Sequence, residues 1–180
     1  MTRATAYDPA SEIERWGFTV AGRVGVRWQR IAILGVAIAL LVGTTGCFGK
    51  GPPVSGKRII YSIGQQRVVL IDENETVIGD FLVSGNQSLP RPGLYHVIEE
   101  GKRVNGSSGN LRLPWFTRFT YGPDSDIGFH GIPVRPDGSL VQSEAQLGQA
   151  LSAGCIRMLE WWAHFIFDWA PGGTPVEVQG

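Results

Sequence analysis

Cys155 is the residue whose type and surroundings best suit nucleophilic chemistry. It lies in LSAGCIRM (151–158), directly after Gly154 and two residues before Arg157. The thiolate is the reactive form of cysteine, and a nearby cation or a helix N-terminus lowers the thiol pKa. A helix is predicted over 158–170, so we expect Cys155 to lie near its N-terminus. Gly154 is expected to allow an unusual turn, and the N–H groups of Gly154 and Cys155 to face a developing oxyanion.

His130 is the histidine best placed to act with Cys155. It ends a strand-like run and is followed by Gly131 and Pro133, so the chain turns and the imidazole can project into a cleft. His164 lies between acidic residues at helical spacing, and His96 lies within a predicted strand. These two histidines are interpreted as structural.

Two other interpretations of Cys155 stay open on local sequence alone. His96, His130 and Cys155 supply three potential zinc ligands, but the chain has no CxxC, HxxxH or HxE pair, and structural zinc sites usually use such short spacings. Alternatively, Cys155 is a small buried side chain without chemistry. We expect no metal and no organic cofactor.

The rest of the chain predicts a mainly β domain with one packed helix, over residues 57–180. Short β-branched runs separated by turn residues predict strands, and the apolar run MLEWWAHFIFDWA before Pro171 predicts the helix. The polar stretch 99–110 is expected to be a mobile loop beside a site. The predicted strands are 58–63, 66–71, 76–83, 93–99, 113–120, 126–131 and 174–178.

The N-terminal third predicts export and attachment to a membrane. Arg23, Arg27 and Arg30 precede the apolar run 31–43, which is the arrangement of a segment whose N-terminus stays in the cytoplasm. We therefore expect a cytoplasmic segment (1–30), an anchor or signal (31–48), a linker (49–56) and an extracytoplasmic domain in the cell envelope.

Cys47, behind Gly46, resembles the lipid-attachment cysteine of bacterial lipoproteins, although Thr44 stands where such signals usually have leucine.

The formal net charge of the chain is zero, which argues against nucleic acid as a partner because phosphate binding needs a basic excess. Cys47 and Cys155 are the two cysteines of the chain. Cys155 therefore has no disulfide partner within the predicted domain, and an unpaired thiol outside the cytoplasm is a candidate reactive group.

Taken together, these segments resemble the L,D-transpeptidase (YkuD-like) family. IGFHGIP, followed by SAGCIRM, resembles the family signature of a His-Gly pair, a variable loop and Ser-His-Gly-Cys with a hydrophobic residue and Arg or Asn. RPGLYHVIEE resembles the family's TPxGxF segment, and GGTPVEV resembles its closing strand. The resemblance covers nearly all of 57–179 and implies a β-sandwich of mixed sheets.

The resemblance also implies roles for individual residues. Cys155 corresponds to the nucleophile, His130 to the general base and later acid, and the carbonyl of Gly131 to the group that orients the imidazole. Gly154 and Ser152 correspond to the oxyanion and substrate-binding segment. Arg157 is expected either to order the loop before it or to meet a peptide carboxylate.

The implied substrates are peptidoglycan stem peptides, as donor and as acceptor. The thiolate attacks the third residue of a tetrapeptide stem, expels D-alanine and passes the acyl group to an amine of a neighbouring stem, and carbapenems acylate the same cysteine. Ala153 departs from the signature, where most members have histidine. Two alternatives follow: a wall-binding relic of the same fold without turnover, and a sortase-like cysteine transpeptidase, although no TLxTC segment precedes Cys155.

Overall fold

The fold consists of two mixed β-sheets and one α-helix, over residues 54–180, which are the residues that the computed structural model describes. A mainly β, two-sheet domain with one helix was predicted from the sequence, and this prediction is confirmed. The strands are β1 (Arg58–Ser62), β2 (Arg67–Ile71), β3 (Val77–Leu82), β4 (Gly93–His96), β5 (Arg103–Ser108), β6 (Leu111–Tyr121), β7 (Asp126–Gly131), β8 (Ile156–Met158) and β9 (Pro175–Gln179).

The first sheet has five strands in the order β3-β2-β1-β9-β4. The first three strands form an antiparallel meander. β9 then pairs parallel to β1 and antiparallel to β4. The alternating burial of β1 and β9 shows one face of this sheet turned to the core, as the period of two along a strand requires.

The second sheet has four strands in the order β5-β6-β7-β8. β5, β6 and β7 are antiparallel, and the short β8 pairs parallel to β7. His130 and Arg157 are partners in the β7–β8 ladder. This pairing brings the two predicted catalytic segments, far apart in the chain, side by side.

The hydrophobic core lies between the sheets and under the helix. Its fully buried side chains come from both sheets and from the helix, because each element turns one apolar face inward. They include Ile59, Tyr61, Val68, Leu70, Phe129, Ile156, Met158, Ile166 and Val176.

The helix α1 (Glu160–Trp169) begins two residues later than predicted. It packs against β6 and β7, and Trp162 stacks on Phe81 of β3 with the ring centroids 4.1 Å apart. Trp161 stays about half exposed. The helix therefore closes one side of the core with its aromatic face.

Two segments differ from the sequence predictions. The stretch expected to be a mobile loop contains a 3-10 turn (Glu99–Gly101) and then β5, which forms a hairpin with β6. The residues directly after Cys155 form β8, where the sequence predicted the approach to a helix. Neither strand was predicted, because β5 is polar and β8 has only three residues.

Candidate active site

The Cys155 thiol lies against the edge of β7. Its sulfur donates a hydrogen bond to the carbonyl oxygen of Asp126 at 3.4 Å, and the backbone N–H of Gly128 donates to the sulfur. The thiol thus occupies the edge of the β7–β8 ladder just before β8 begins. Burial raises the pKa of Cys155, and this effect outweighs the Gly128 N–H and the Arg157 charge, which both favour the thiolate.

The predicted activation of Cys155 by a helix N-terminus is wrong. β8 and Leu159 separate the cysteine from α1, and the effect of a helix dipole falls off within the first turn. The resting group is therefore a protonated thiol.

The His130 side chain is buried near the end of β7, with 2% of its surface exposed. Its Nδ1 lies 2.6 Å from the carbonyl oxygen of Gly131. Because a carbonyl can only accept, Nδ1 carries the proton in this hydrogen bond and Nε2 is left with its lone pair. Burial lowers the pKa of His130 to about 4; the Gly131 carbonyl opposes this shift and the Arg157 charge adds to it.

Cys155 and His130 share one face of the second sheet. His130 is the ladder partner of Arg157, and side chains two residues apart along a strand point to the same face. Within the described part of the chain no hydrogen bond joins the sulfur to the imidazole, because the thiol donates to Asp126 instead. In the resting arrangement the two side chains thus share a face without a hydrogen bond between them.

The segment before Cys155 differs from the expected oxyanion turn. The N–H of Gly154 donates to Ser152 Oγ at 3.0 Å, so this N–H is already occupied. Gly154 has no positive φ, and a Cβ there would meet only Ile127 at 3.5 Å. The unusual turn predicted for Gly154 is therefore wrong, and Ser152 has a visible role in holding the segment.

Arg157 is held by the long connection between β7 and β8. Its Nη1 donates to Gln142 Oε1 at 2.9 Å and to the carbonyl of Leu151 at 3.2 Å. Gln142 in turn donates to Ser84 Oγ at 2.9 Å. Of the two roles expected for Arg157, ordering the preceding loop is the one that these contacts fit.

A pocket of about 290 Å³ opens beside Cys155. Residues of the β5–β6 hairpin, including Arg103 and Arg118, line it together with Asp126 of β7. Arg118 Nη1 donates to Asp126 Oδ2 at 2.9 Å. The sequence analysis did not identify Arg103, Arg118 or Asp126 as site residues. Its only indication was the polar stretch 99–110, which was expected to lie beside a site and which contains Arg103.

The other histidines have structural surroundings. His164 stacks on Trp115, with ring centroids 3.7 Å apart, and its Nε2 lies 3.2 Å from Asp168 Oδ2. His96 ends β4, opposite Pro175. Among residues 54–180 no three His, Cys, Asp or Glu side chains group to hold a metal ion, so the potential zinc ligands do not form a site.

The predicted N-terminal features lie largely outside the described residues. These are the segment 1–30, the anchor 31–48 with Cys47, and all but the last three residues of the linker 49–56. Within 54–180, no helix is long and apolar enough to cross a membrane.

Comparison with known proteins identifies the family. A sequence model of the L,D-transpeptidase catalytic domain (YkuD) matches residues 56–178. The chain belongs to the L,D-transpeptidase catalytic-domain family. The resemblance of the chain to this family is thereby confirmed. No curated protein matches the sequence.

Three solved structures share the fold, and two of them are L,D-transpeptidases. The enzyme from Mycobacterium smegmatis is 17% identical with a TM-score of 0.56, and covers 70% of this chain and 59% of its own. LdtMt1, solved in complex with imipenem, is 20% identical with a TM-score of 0.54, covering 68% and 58%. A fused amidase/peptidase protein from Clostridium acetobutylicum ATCC 824 is 24% identical with a TM-score of 0.53, covering 72% and 54%. The L,D-transpeptidase fold is thus shared, and the chain spans less than two thirds of each of these structures.

Proposed function

We propose that this chain is a peptidoglycan L,D-transpeptidase that uses Cys155 as its nucleophile. It takes the acyl group from a tetrapeptide stem, releases D-alanine and forms 3-3 cross-links during cell-wall remodelling. The observation that carries the proposal is the pairing of β7 and β8, which puts Cys155 and a buried, neutral His130 on a common face; Cys155 also lines a pocket. Family membership supports the same chemistry.

The first half of the reaction forms a thioester. The thiol turns about its Cα–Cβ bond away from the Asp126 carbonyl, and its proton passes to His130 Nε2 as the sulfur attacks the carbonyl carbon of the third stem residue. The C–S bond forms, the C–N bond to D-alanine breaks, and His130 returns the proton to the leaving nitrogen. The Gly131 carbonyl holds the Nδ1 proton throughout and so fixes the imidazole plane.

The second half transfers the acyl group. An amine of a neighbouring stem attacks the thioester and gives its proton to His130, the C–S bond breaks, and the sulfur recovers the proton. No metal or organic cofactor enters these steps.

We further propose that the domain acts outside the cytoplasm, in the cell envelope. The support comes from the sequence: Arg23, Arg27 and Arg30 before the apolar run 31–43 suit an uncleaved anchor, and Cys47 suits a lipid attachment. Either arrangement would hold the domain close to its wall substrate.

Mass spectrometry of the intact full chain with imipenem tests the proposal. We expect a single covalent adduct on the wild type and none on Cys155→Ala, because an acyl-transfer nucleophile opens the β-lactam ring. The structure of LdtMt1 with imipenem makes this drug the natural probe. If the folded wild type stays unmodified by imipenem while a maleimide still labels the Cys155 thiol, the wall-binding alternative is preferred and the proposed activity fails.

A further inference from the structure

The pocket beside Cys155 contains a cationic group that the reaction steps above do not use. Arg118, on β6, lines the pocket together with Cys155 and Asp126. Arg118 pairs with Gly128 across the β6–β7 ladder, so its side chain lies on the same face as His130. The guanidinium is therefore part of the wall that a bound donor peptide must contact.

The Arg118 guanidinium is fixed but not fully paired. Its side chain is 15% exposed, Nη1 donates to Asp126 Oδ2, and the Tyr121 ring lies 4.7 Å from Cζ. Nε is buried without a hydrogen-bond partner. Nε packs against Gly101, where an added Cβ would lie 2.5 Å from it, and is therefore closed to a ligand. A bound carboxylate would contact the Nη groups, which donate more strongly to a carboxylate than to a neutral acceptor.

The pocket also carries an excess of positive charge. Asp126 offsets the charge of Arg118, but Arg103, which also lines the pocket from the neighbouring strand β5, donates to the backbone carbonyls of Glu100 and Lys102. Among residues 54–180 no acidic side chain forms an ion pair with Arg103. The two arginines and one aspartate leave a net positive pocket, which favours an anionic group on the ligand.

Arg157, the arginine that the sequence suggested for a carboxylate, is engaged elsewhere. Its Nη1 hydrogen bonds go to Gln142 and Leu151, and it does not line the pocket. Arg118 and Arg103 are thus the cations that line the pocket beside Cys155.

We propose that Arg118, assisted by Arg103, binds a carboxylate of the donor stem and so determines donor specificity; this inference rests on the proposed function. The terminal D-alanine carboxylate lies one residue beyond the attacked carbonyl. The distance from the Cys155 sulfur to the Arg118 guanidinium is similarly short, because a single residue reaches both. The backbone oxygen of Asp126 contacts the sulfur and its side chain contacts Arg118.

The test compares three tetrapeptide donors with wild type, Arg118→Gln and Arg118→Lys. One donor has a free terminal carboxylate, one has a terminal amide, and one has the carboxylate of its diamino acid amidated. We expect amidation of the terminal carboxylate to lower kcat/KM of the wild type about 10- to 100-fold, the range of a charge-assisted hydrogen bond. Arg118→Gln should treat the acid and the amide alike, and Arg118→Lys should recover part of the preference.

Arg112→Gln is the matched control. Arg112 lies on the same strand, is exposed, contacts Asn105 and does not line the pocket. This variant should keep the full preference of the wild type. If the Arg118-dependent loss of kcat/KM appears instead with the donor amidated on its diamino acid, the arginine binds the carboxylate of the diamino acid. The proposed carboxylate site is then supported, with that carboxylate as its ligand.

Two results would overturn the proposal: a wild type that does not distinguish the donors, or an Arg118→Gln variant that loses equal activity on all of them. Titration of the same peptides into the Cys155→Ala chain, followed by NMR, separates this inference from the proposed function because it needs no turnover. If that binding depends on carboxylate and Arg118 while the wild type turns over no donor, the activity fails and the carboxylate site stands. If neither turnover nor binding depends on the carboxylate, the site is refuted.

Discussion

At the scale of single residues, the resting site holds two neutral partners. Burial raises the thiol pKa of Cys155 and lowers the imidazole pKa of His130 to about 4, so near neutral pH neither group carries a charge. A preformed thiolate–imidazolium pair is therefore not the resting state. His130 has to act as a base while the sulfur attacks. The reaction rate therefore depends on the imidazole nitrogen that carries the free lone pair facing the thiol.

His130→Asn tests this role. The asparagine amide can still donate to the Gly131 carbonyl, but it offers no nitrogen base. We expect the rate constant for imipenem acylation to fall about 10²- to 10⁴-fold, the usual contribution of general base catalysis, measured by stopped-flow fluorescence or timed mass spectrometry. An unchanged rate in a folded variant would remove His130 from the mechanism.

At this scale the sequence was most informative where a motif is local. Cys155 and His130 could be singled out because glycines and turns surround them, although their catalytic roles stay predictions. The engagement of the Gly154 N–H by Ser152 could not be predicted, because it depends on the side-chain rotamer of the serine. Arg118 was missed because its relation to Cys155 arises only when β6, β7 and β8 pair.

At the scale of secondary-structure elements, close packing of β6 on β7 determines where the thiol lies. A Cβ at Gly128 would lie 2.5 Å from the carbonyl oxygen of Thr117, which is backbone and cannot move aside cheaply. The N–H of Gly128 also contacts the sulfur. The absence of a side chain at this position thus sets both the strand spacing and the environment of Cys155.

We expect Gly128→Ala to lower the free energy of unfolding by about 1–3 kcal/mol, the cost of overpacking. Gly154→Ala is the control, since its new Cβ would contact Ile127 only at 3.5 Å; we expect a change within about 1 kcal/mol. Urea unfolding followed by tryptophan fluorescence measures both. Equal losses in the two variants would contradict the steric argument.

Strands with clear alternation or β-branched runs were predictable, and the others were not. The sequence located β1, β2, β3, β4, β6, β7 and β9 to within a few residues and α1 to within two. β5 has a polar, glycine-containing sequence and is a strand because it pairs with β6. β8 is too short to show a period and exists because β7 offers it an edge; tertiary pairing overrides local propensity in both.

At the scale of the whole molecule, burial of His130 makes stability depend on pH. The folded-state pKa is about 4 against 6.5 for an ordinary histidine, so between these values the unfolded chain binds a proton that the folded chain does not. The stability that this histidine contributes is thus fully present above pH 6.5 and is lost as the pH falls towards 4. This single group corresponds to about 3 kcal/mol.

We expect the free energy of unfolding to fall by about that amount from pH 6.5 to pH 4, as measured by urea unfolding at a series of pH values. His130→Asn carries no titrating group at this position and should show a much shallower pH dependence, whatever its absolute stability. Identical slopes for the two proteins would show that other groups cause the acid sensitivity.

The parallel pairing of β1 with β9 determines the order in which the molecule can assemble. Ile59 pairs with Val176, so the middle of the five-stranded sheet joins the two ends of the domain, and β4 has only β9 as its partner there. Contacts so distant in sequence form slowly, because the long loop between them must first be closed. A chain threaded through a translocation pore from its N-terminus would therefore remain unable to complete this sheet until Pro175–Gln179 had emerged. For the exported chain that we propose, this topology is expected to delay folding and so to keep the chain competent for passage through a narrow channel.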